Sequence, residues 1–261
     1  MLDTLINGNC LEILDTLEEN SIDMIFADPP YNLSNNGTTC HSGKRVSVNK
    51  GEWDISLGFD QDVAFHETWI SKCRKVLKDN GTIWISGTNH SIYKCGFILE
   101  KLNFYILNDI AWYKPNAAPN LSCNVFAHSH ETLIWAKKNK KAKHFYNYDL
   151  MKNLDFEKDK LKSKGKQMRS VWSISTPAKN EKIYGKHPTQ KPIDLLIRII
   201  LASTKDNDTI LDPFNGSGTT AVACAMIGNR NYIGIDIDEN YTELTKKRIK
   251  DIENNIFEDI L

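Results

Sequence analysis

The segment Asp28-Pro29-Pro30-Tyr31 holds the residue types in this chain that are best suited to activate an aromatic amine. An exocyclic amine is a poor nucleophile because its lone pair is delocalised into the ring. The Asp28 carboxylate and the Pro29 carbonyl can accept hydrogen bonds from the amine and so free that lone pair. The prolines fix the backbone, and Tyr31 offers a flat face for an extruded base. The segment predicts chemistry on a nucleobase amine, against the plainer alternative of a turn that only ends a strand.

A second segment, residues 211–220, predicts a site for an adenosine-containing cofactor. Its glycines, Gly216 and Gly218, permit a tight turn and let the backbone approach a ligand closely. The predicted helix that follows presents free N–H groups, which favour an anion or a carboxylate. Asp236, at the end of the next predicted strand, can accept hydrogen bonds from both hydroxyls of a ribose. The same spacing satisfies the fingerprint of dinucleotide sites, so the segment does not identify the cofactor.

Alternating strand and helix patterns place both segments at the ends of strands. Strands are predicted at 21–27, 82–86, 104–112, 131–136, 208–211 and 231–235, and helices at 62–78, 91–102, 189–204, 218–228 and 238–254. Thr189 is expected to cap its helix with Pro192 in the first turn, and Asn80-Gly81 is expected to form a turn. This alternation predicts a parallel sheet with helices on both faces.

Charge is unevenly distributed, although the chain has 33 basic and 33 acidic residues and no net charge. Residues 137–169 contain twelve Lys or Arg and four Asp or Glu, a balance of 12 − 4 = +8. Residues 206–261 contain five basic and eleven acidic residues, a balance of 5 − 11 = −6. A protein that binds nucleic-acid phosphates with one side shows such segregation. A lysine-rich segment that is merely solvated shows it too, and the charges alone do not separate these interpretations.

Three motifs in a fixed order resemble those of the β-class amino-methyltransferases of DNA, which methylate adenine at N6 or cytosine at N4. Asp28-Pro29-Pro30-Tyr31-Asn32 resembles the catalytic motif, and residues 212–220 resemble the methyl-donor motif. His187-Pro188-Thr189-Gln190-Lys191-Pro192 resembles the stretch that precedes the donor motif. The catalytic motif comes first, which is the circularly permuted β arrangement. The similarity spans residues 7–241 and is closest to the modification enzymes of type II restriction systems.

The resemblance implies an α/β, Rossmann-like, S-adenosylmethionine-dependent methyltransferase fold, circularly permuted and with an inserted target recognition region. Residues 1–120 would form the catalytic half, 121–186 the target recognition region and 187–261 the cofactor-binding half. The implied enzyme methylates the N6 amine of adenine in double-stranded DNA and acts as a homodimer in the bacterial cytoplasm. A cognate restriction endonuclease would act on the same site without direct contact. Residues 38–50, within a polar loop predicted at 32–58, would be either a lid over the extruded base or a disordered stretch.

Residue roles follow from the same resemblance. Asp28, Pro29, Pro30 and Tyr31 would hold the target base, and an Asp at position 28, where other members have Ser, favours adenine over cytosine. Four parts of the chain would bind the donor, namely Asn9, Cys10, Thr189, Lys191, Asp212, Pro213, Phe214, Asn215, Gly216, Ser217, Gly218, Thr219 and Asp236. Among these, Asp236 would bind the ribose, while Thr189 and Lys191 would approach the methionine end.

Other functions stay open on the sequence. A cytosine-N4 DNA methyltransferase shares the motifs, and a nicotinamide-dependent dehydrogenase shares the Gly216-x-Gly218-x-x-Ala221 pattern. A DNA-binding module without enzymatic activity would leave both motifs idle. No Pro-Cys dipeptide occurs, which leaves cysteine-dependent C5 methylation of cytosine unsupported. His128 and His130, beside Glu131, are not expected to bind a metal, and no segment approaches the length of a membrane span.

Overall fold

The computed structural model of the chain describes residues 3–31, 34, 38–41, 44–47, 54–185 and 187–258. Its strands are β1 Asp3–Asn7, β2 Ile22–Ala27, β3 Thr38–His41, β4 Lys44–Ser47, β5 Leu77–Gly87, β6 Tyr105–Tyr113, β7 His130–Lys137, β8 Val171–Ser173, β9 Thr209–Asp212 and β10 Asn231–Asp236. Its helices are α1 Cys10–Ile13, α2 Phe59–Val76, α3 Ile92–Lys101, α4 Tyr148–Asn153, α5 Ile193–Ser203, α6 Thr219–Ile227 and α7 Glu239–Glu258. None of the helices in these described parts is long and apolar enough to cross a membrane.

Eight strands form one mixed sheet in the order β1-β10-β9-β2-β5-β7-β6-β8. The five strands from β1 to β5 in this order are parallel, and β8 is parallel to β6. β7 runs antiparallel to both of its neighbours, so the predicted all-parallel sheet is wrong at this strand. The chain passes from β6 to β7 without a crossover helix, and a connection of that kind returns the next strand antiparallel.

Both faces of the sheet are covered by apolar side chains. Because successive residues of a strand point to opposite faces, Ile83 and Ile85 of β5 pack with Trp69 of α2 on one side. Trp84, between them, packs on the other side with Leu196 of α5. Strands that are buried on both faces read as continuous apolar runs, which is why the central strands were predictable from the sequence.

The edge of the sheet that carries the site is set by strand direction. The chain order reverses between β9 and β2, and ligands of open α/β sheets bind at such a point, outside the carboxyl ends of the strands. Asp28 directly follows β2, and Asp212 ends β9, so both chemical segments lie at this edge. Antiparallel β7 brings its amino end, with Glu131, to the same edge. Its carboxyl end, at Lys137, lies beside Tyr105 at the opposite edge.

The start of α5 differs from the prediction. The helix begins at Ile193, with Pro192 at its N-cap position, and Thr189 lies outside it. The backbone N–H of Ile193 donates to Glu181 Oε2 at 2.9 Å, so a side chain from an earlier segment satisfies the helix end. Local sequence around Thr189 contains no sign of that partner.

Two further local predictions are corrected. Asn80 and Gly81 lie within β5, where the pairing with β2 shifts register, and they do not form a turn before it. The region 32–58, predicted to be a loop, contains the antiparallel pair β3–β4. The remainder of the predicted lid at 38–50 lies outside the described residues.

Candidate active site

A cavity of about 350 Å³ opens at the carboxyl ends of β2, β9 and β10. Both chemical segments line it, as do residues from the amino-terminal and 187–192 stretches. The predicted site residues on its wall are Asn9, Cys10, Asp28, Pro29, Pro30, Tyr31, Thr189, Lys191, Asp212, Pro213, Phe214, Asn215, Gly216, Ser217, Thr219 and Asp236. Gly218 is the one predicted site residue that is absent from this wall. Tertiary structure thus brings together segments that are far apart in the sequence.

The Asp28 carboxylate is engaged on both oxygens. Its Oδ1 accepts a hydrogen bond from the Tyr31 hydroxyl at 2.5 Å, and its Oδ2 lies 2.5 Å from the Lys191 ammonium. Burial raises the pKa of Asp28, against the opposing attraction of Lys191. Burial also acts against the charge of Lys191, but the carboxylates of Asp28 and Glu131 outweigh it and raise the pKa of Lys191. The site therefore holds a charged ammonium beside the Asp28 carboxylate.

Glu131 and Lys114 extend this charge network, and the sequence did not assign them to it. Glu131 Oε2 lies 3.7 Å from Lys191 Nζ, and Glu131 Oε1 lies 2.8 Å from Lys114 Nζ. Burial acts to raise the pKa of Glu131, but Lys191 and Lys114 hold it below the usual value. The order of charges is Asp28, Lys191, Glu131 and Lys114, so each ammonium has a carboxylate neighbour. The one sequence signal was an ionisable residue inside a predicted strand that was otherwise apolar.

Tyr31 is held by its hydroxyl as well as by its ring. The hydroxyl lies 2.9 Å from Ser86 Oγ and 3.2 Å from Glu131 Oε2, in addition to its bond to Asp28. The Tyr31 backbone N–H donates to Asp54 Oδ1 at 2.8 Å. The side chain is 4% exposed, and burial together with the nearby carboxylates raises its pKa well above the ordinary value. Tyr31 is therefore neutral and fixed in place, while its stacking role stays a prediction.

The donor segment is shaped mainly by its own backbone. Gly216 and Gly218 have φ values of 51° and 72°, a region that side chains with a Cβ avoid. The Gly216 N–H donates to Asp236 Oδ2 at 2.6 Å, and the Asp238 N–H donates to Asp236 Oδ1 at 2.9 Å. A Cβ added to Gly218 would overlap Thr245 of α7. Gly218 thus serves close packing of the loop against a helix, behind the cavity wall.

The Asp212 side chain stabilises the same segment through two hydrogen bonds. Its Oδ1 accepts the Phe214 N–H at 3.0 Å, and its Oδ2 accepts the Thr220 hydroxyl at 2.6 Å. Both partners are neutral, and the side chain is 2% exposed. Burial raises the pKa of Asp212 from 3.8 to about 7.

The remaining predicted residues complete the wall. Asn9 caps α1, its Oδ1 accepting the Leu11 N–H at 3.0 Å. Phe214 packs edge-on against Trp69, with ring centroids 5.3 Å apart. Burial raises the pKa of the Cys10 thiol to about 11, so Cys10 is a neutral wall residue without nucleophilic character.

No group of metal-binding side chains occurs in the described ranges. His128 and His130 are exposed, and Glu131 is directed into the network of Lys191 and Lys114. The network of Asp28, Lys191, Glu131 and Lys114 supports hydrogen bonding and charge stabilisation next to a ligand-sized cavity.

Comparison of the sequence with known families shows a match to the N6/N4 DNA methylase family over residues 22–247. Two curated relatives cover nearly the whole chain. The type II methyltransferase M2.LlaDCHI of Lactococcus lactis subsp. cremoris is 52% identical over 94% of this chain and 88% of the relative. The type II methyltransferase M2.DpnII of Streptococcus pneumoniae is also 52% identical, over 94% of this chain and 89% of the relative.

Solved structures match over the same extent. The complex of M1.HpyAVI with SAM has a TM-score of 0.69 and 28% identity, and the match covers 95% of this chain and 99% of that one. The cytosine-N4-specific PvuII DNA methyltransferase has a TM-score of 0.71 and 18% identity, over 98% of this chain and 93% of that one. The second likeness shows the fold alone.

Proposed function

Because the chain belongs to the N6/N4 DNA methylase family, we propose that it methylates the N6 amine of adenine in double-stranded DNA. It is a type II DNA methyltransferase of a restriction-modification system, in line with relatives that are 52% identical. The observation that carries the choice of adenine is the carboxylate at position 28, on the wall of the cavity. A carboxylate accepts a hydrogen bond from an amine and stabilises the positive charge that develops on it.

S-adenosylmethionine is the methyl donor, and it supplies an electrophilic methyl group. The cavity, at about 350 Å³, falls within the range of small-molecule sites, which is about 300–1,000 Å³. Asp236 fits a ribose because each of its oxygens accepts one backbone N–H and retains a lone pair for a hydroxyl. Phe214 provides an apolar part of the cavity wall. Lys191 and Thr189 lie at the part of the cavity near the Asp28 carboxylate.

The target amine must compete for Asp28, since both oxygens of that carboxylate already have partners. Lys191 has a second carboxylate, Glu131, within 3.7 Å. We therefore propose that Lys191 moves from Asp28 toward Glu131 when the base enters, which frees Asp28 Oδ2 for the amine. After methyl transfer the amine nitrogen carries one proton too many, and Asp28 takes it, because burial has raised its pKa.

Basic residues of the +8 stretch, 137–169, are divided between the two edges of the sheet. Lys140 and Lys141 follow β7 at the edge remote from Asp28. Lys158 and Lys160 flank Asp159, whose Oδ1 accepts the N–H of Ser173 at the near end of β8. We propose that DNA phosphates contact the second pair, within the recognition region 121–186. That region is continuous with the fold, since β7 and β8 belong to the central sheet.

Three further features of the protein remain predictions. The division at residues 120 and 186, the pairing of two copies as a homodimer, and the endonuclease that acts on the same site follow from the family resemblance. Sedimentation at micromolar concentration tests the homodimer directly.

The test of the proposed function is the identity of the methylated nucleoside. Duplex DNA is incubated with the protein and S-adenosylmethionine labelled in its methyl group, then digested to nucleosides and separated. We expect the label in N6-methyldeoxyadenosine, and roughly a hundredfold less of it with Asp28→Asn at an early time point. Label in N4-methyldeoxycytidine would overturn the assignment of adenine.

A further inference from the structure

The connection between β6 and β7, residues 115–129, carries an exposed apolar tip. Phe126 is 97% exposed, Val125 is 59% exposed and Leu121 is 41% exposed. All residues from 121 to 128 are exposed. Single exposed apolar side chains are ordinary, but a group of them at a loop tip marks a surface that contacts another molecule.

The base of this loop belongs to the active site. The Lys114 N–H donates to the Ser129 carbonyl at 2.7 Å, which closes the loop. Lys114 Nζ and Glu131 Oε1 form an ion pair at 2.8 Å across the same closure, and Glu131 Oε2 is 3.2 Å from the Tyr31 hydroxyl. Phe126 lies three residues from Ser129, so its Cα is within about 11 Å of the loop base. The backbone of Phe126 therefore lies near the loop base, where Lys114 joins the charge network of the site.

The tip is braced by side chains of its own loop. Asn120 Oδ1 accepts the Ser122 N–H at 2.9 Å, and Asn120 Nδ2 donates to the Val125 carbonyl at 3.0 Å. Asn116 exchanges two hydrogen bonds of 3.0 Å with Thr176, which ties the loop to the segment after β8. These hydrogen bonds keep the apolar loop tip exposed, although apolar side chains tend to pack against the protein surface.

The chemistry of the loop fits DNA as the partner. Residues 115–129 contain no Asp or Glu, so nothing on the loop repels phosphates. The only acid at its base, Glu131, is neutralised by Lys114 and Lys191. An adenine inside a duplex cannot reach a buried carboxylate unless it leaves the base stack, and its departure leaves a gap between two base pairs. Apolar side chains fill such gaps in bent or opened duplexes.

We propose that Phe126 enters the duplex at the position vacated by the target base and holds that base extruded toward Asp28. This inference rests on the proposed function, because it requires that a base of double-stranded DNA be the substrate. Val125 and Leu121, exposed on the same tip, contact the flanking base pairs in this arrangement. The substrate class that follows is a paired base, for which the wedge offsets the loss of stacking.

The test compares Phe126→Ala with Phe126→Trp, and uses Phe97→Ala as a matched control. Phe97 is another exposed phenylalanine, 64% exposed, and it lies on α3 outside the loop. Two duplexes carry the target sequence mapped in methylated genomic DNA, one fully paired and one with an abasic site opposite the target base. On the paired duplex, we expect kcat/KM to fall about tenfold or more for Phe126→Ala, by loss of stacking, and to stay near wild type for Phe126→Trp and Phe97→Ala. On the abasic duplex, where the base is already loose, the Phe126→Ala deficit should vanish.

A second readout uses 2-aminopurine at the target position, whose fluorescence rises when it leaves the stack. The rise on binding should be smaller for Phe126→Ala than for the wild type at saturating protein. An equal rise, or an equal deficit on both duplexes, would overturn the wedge. So would a change in sedimentation showing that Phe126→Ala separates two copies of the chain. If the wild type transfers no methyl group to either duplex, the proposed function fails, and the fluorescence arm still decides the role of Phe126.

Discussion

Two loops line the same cavity and are stabilised in different ways. The loop proposed to be catalytic, residues 28–31, follows β2 and is called the catalytic loop. The loop proposed to bind the methyl donor, residues 212–218, begins at the last residue of the adjacent strand β9 and is called the donor loop. Both strands are parallel, and both loops lie at their carboxyl ends. The first loop is held through its side chains, and the second is held largely through its backbone.

The catalytic loop depends on charged and polar side chains from remote segments. Lys191 is 163 residues from Asp28, Glu131 is 100 residues from Tyr31, and Ser86 is 55 residues from Tyr31. The donor loop is held largely through its backbone: the Phe214 N–H donates to Asp212 two residues away, the Gly216 N–H donates to Asp236 twenty residues away, and Arg248, 31 residues away, donates to the Ser217 carbonyl. Both loops use remote partners, but only the catalytic loop places charged side chains of both signs around its own side chains.

The largest effect is expected from removing the cation of the catalytic loop. Lys191→Met leaves the Asp28 and Glu131 carboxylates buried with too little positive charge, and breaking a buried pair in this way costs roughly 3–5 kcal/mol of unfolding free energy. Urea denaturation measures the loss. Asp28→Asn added to Lys191→Met removes the unpaired carboxylate and should restore part of it. A Lys191→Met protein as stable as the wild type would show that the network does not hold this loop.

The next effect concerns catalysis by the same loop. Asp28→Asn retains the size of the side chain but loses the negative charge that we propose stabilises the amine in the transition state. The rate of methyl transfer should fall by roughly a hundredfold to a thousandfold. Single-turnover transfer to duplex DNA measures it, and calorimetry should show unchanged donor affinity. A rate close to that of the wild type would remove Asp28 from the mechanism.

A substitution in the donor region should instead weaken binding of the methyl donor and leave turnover largely unchanged. Asp236→Ala removes acceptors for the ribose hydroxyls, and hydrogen bonds to a charged group contribute about 1.5–3 kcal/mol. The dissociation constant of S-adenosylmethionine should rise by roughly ten- to a hundredfold, while turnover at saturating donor changes little. A variant that binds the donor normally but turns over slowly would reverse the contrast between the two loops.

The buried carboxylate of the donor loop makes stability depend on pH. Asp212 has a pKa of about 7 in the folded chain, against 3.8 for an ordinary Asp. Between about pH 4 and 7 the folded chain holds a proton that the unfolded chain releases, so stability falls as pH rises. The unfolding equilibrium constant should grow about tenfold per pH unit relative to Asp212→Asn, which lacks this titration. Denaturation at three pH values within the window measures it, and a constant difference would contradict the expectation.

The smallest effect is expected from charge reversals in the basic stretch that we propose contacts DNA. Lys158→Glu with Lys160→Glu reverses charge near the catalytic edge, and Lys140→Glu with Lys141→Glu makes the same change at the remote edge. The first pair should weaken DNA binding severalfold and reduce its dependence on salt concentration, because phosphate contacts release counterions. The second pair should behave as the wild type. Equal effects of the two pairs would mean that DNA does not approach the catalytic loop from this side. Lys158 pairs with Asp194 only at the exposed surface, so its loss costs little stability.

Local patterns along the chain are enough to identify the two chemical segments and most of the elements that carry them. Apolar runs specify buried strands, glycines specify the donor turn, and the order of the motifs specifies the family, because each of these signals is local. The residues of the donor loop that the sequence predicts to bind the cofactor line the cavity, except for Gly218, and their role in binding stays a prediction.

The remote side chains that complete the catalytic loop could not be identified before the strand directions were known. The antiparallel direction of β7 carries Glu131 to the edge where β2 ends, and Lys114 follows β6 to the same place. Glu181 likewise reaches the start of α5, a contact that displaced the predicted cap at Thr189. Charge attraction acts through space and leaves no periodic pattern along a chain, so these partners become visible only when strand direction is known.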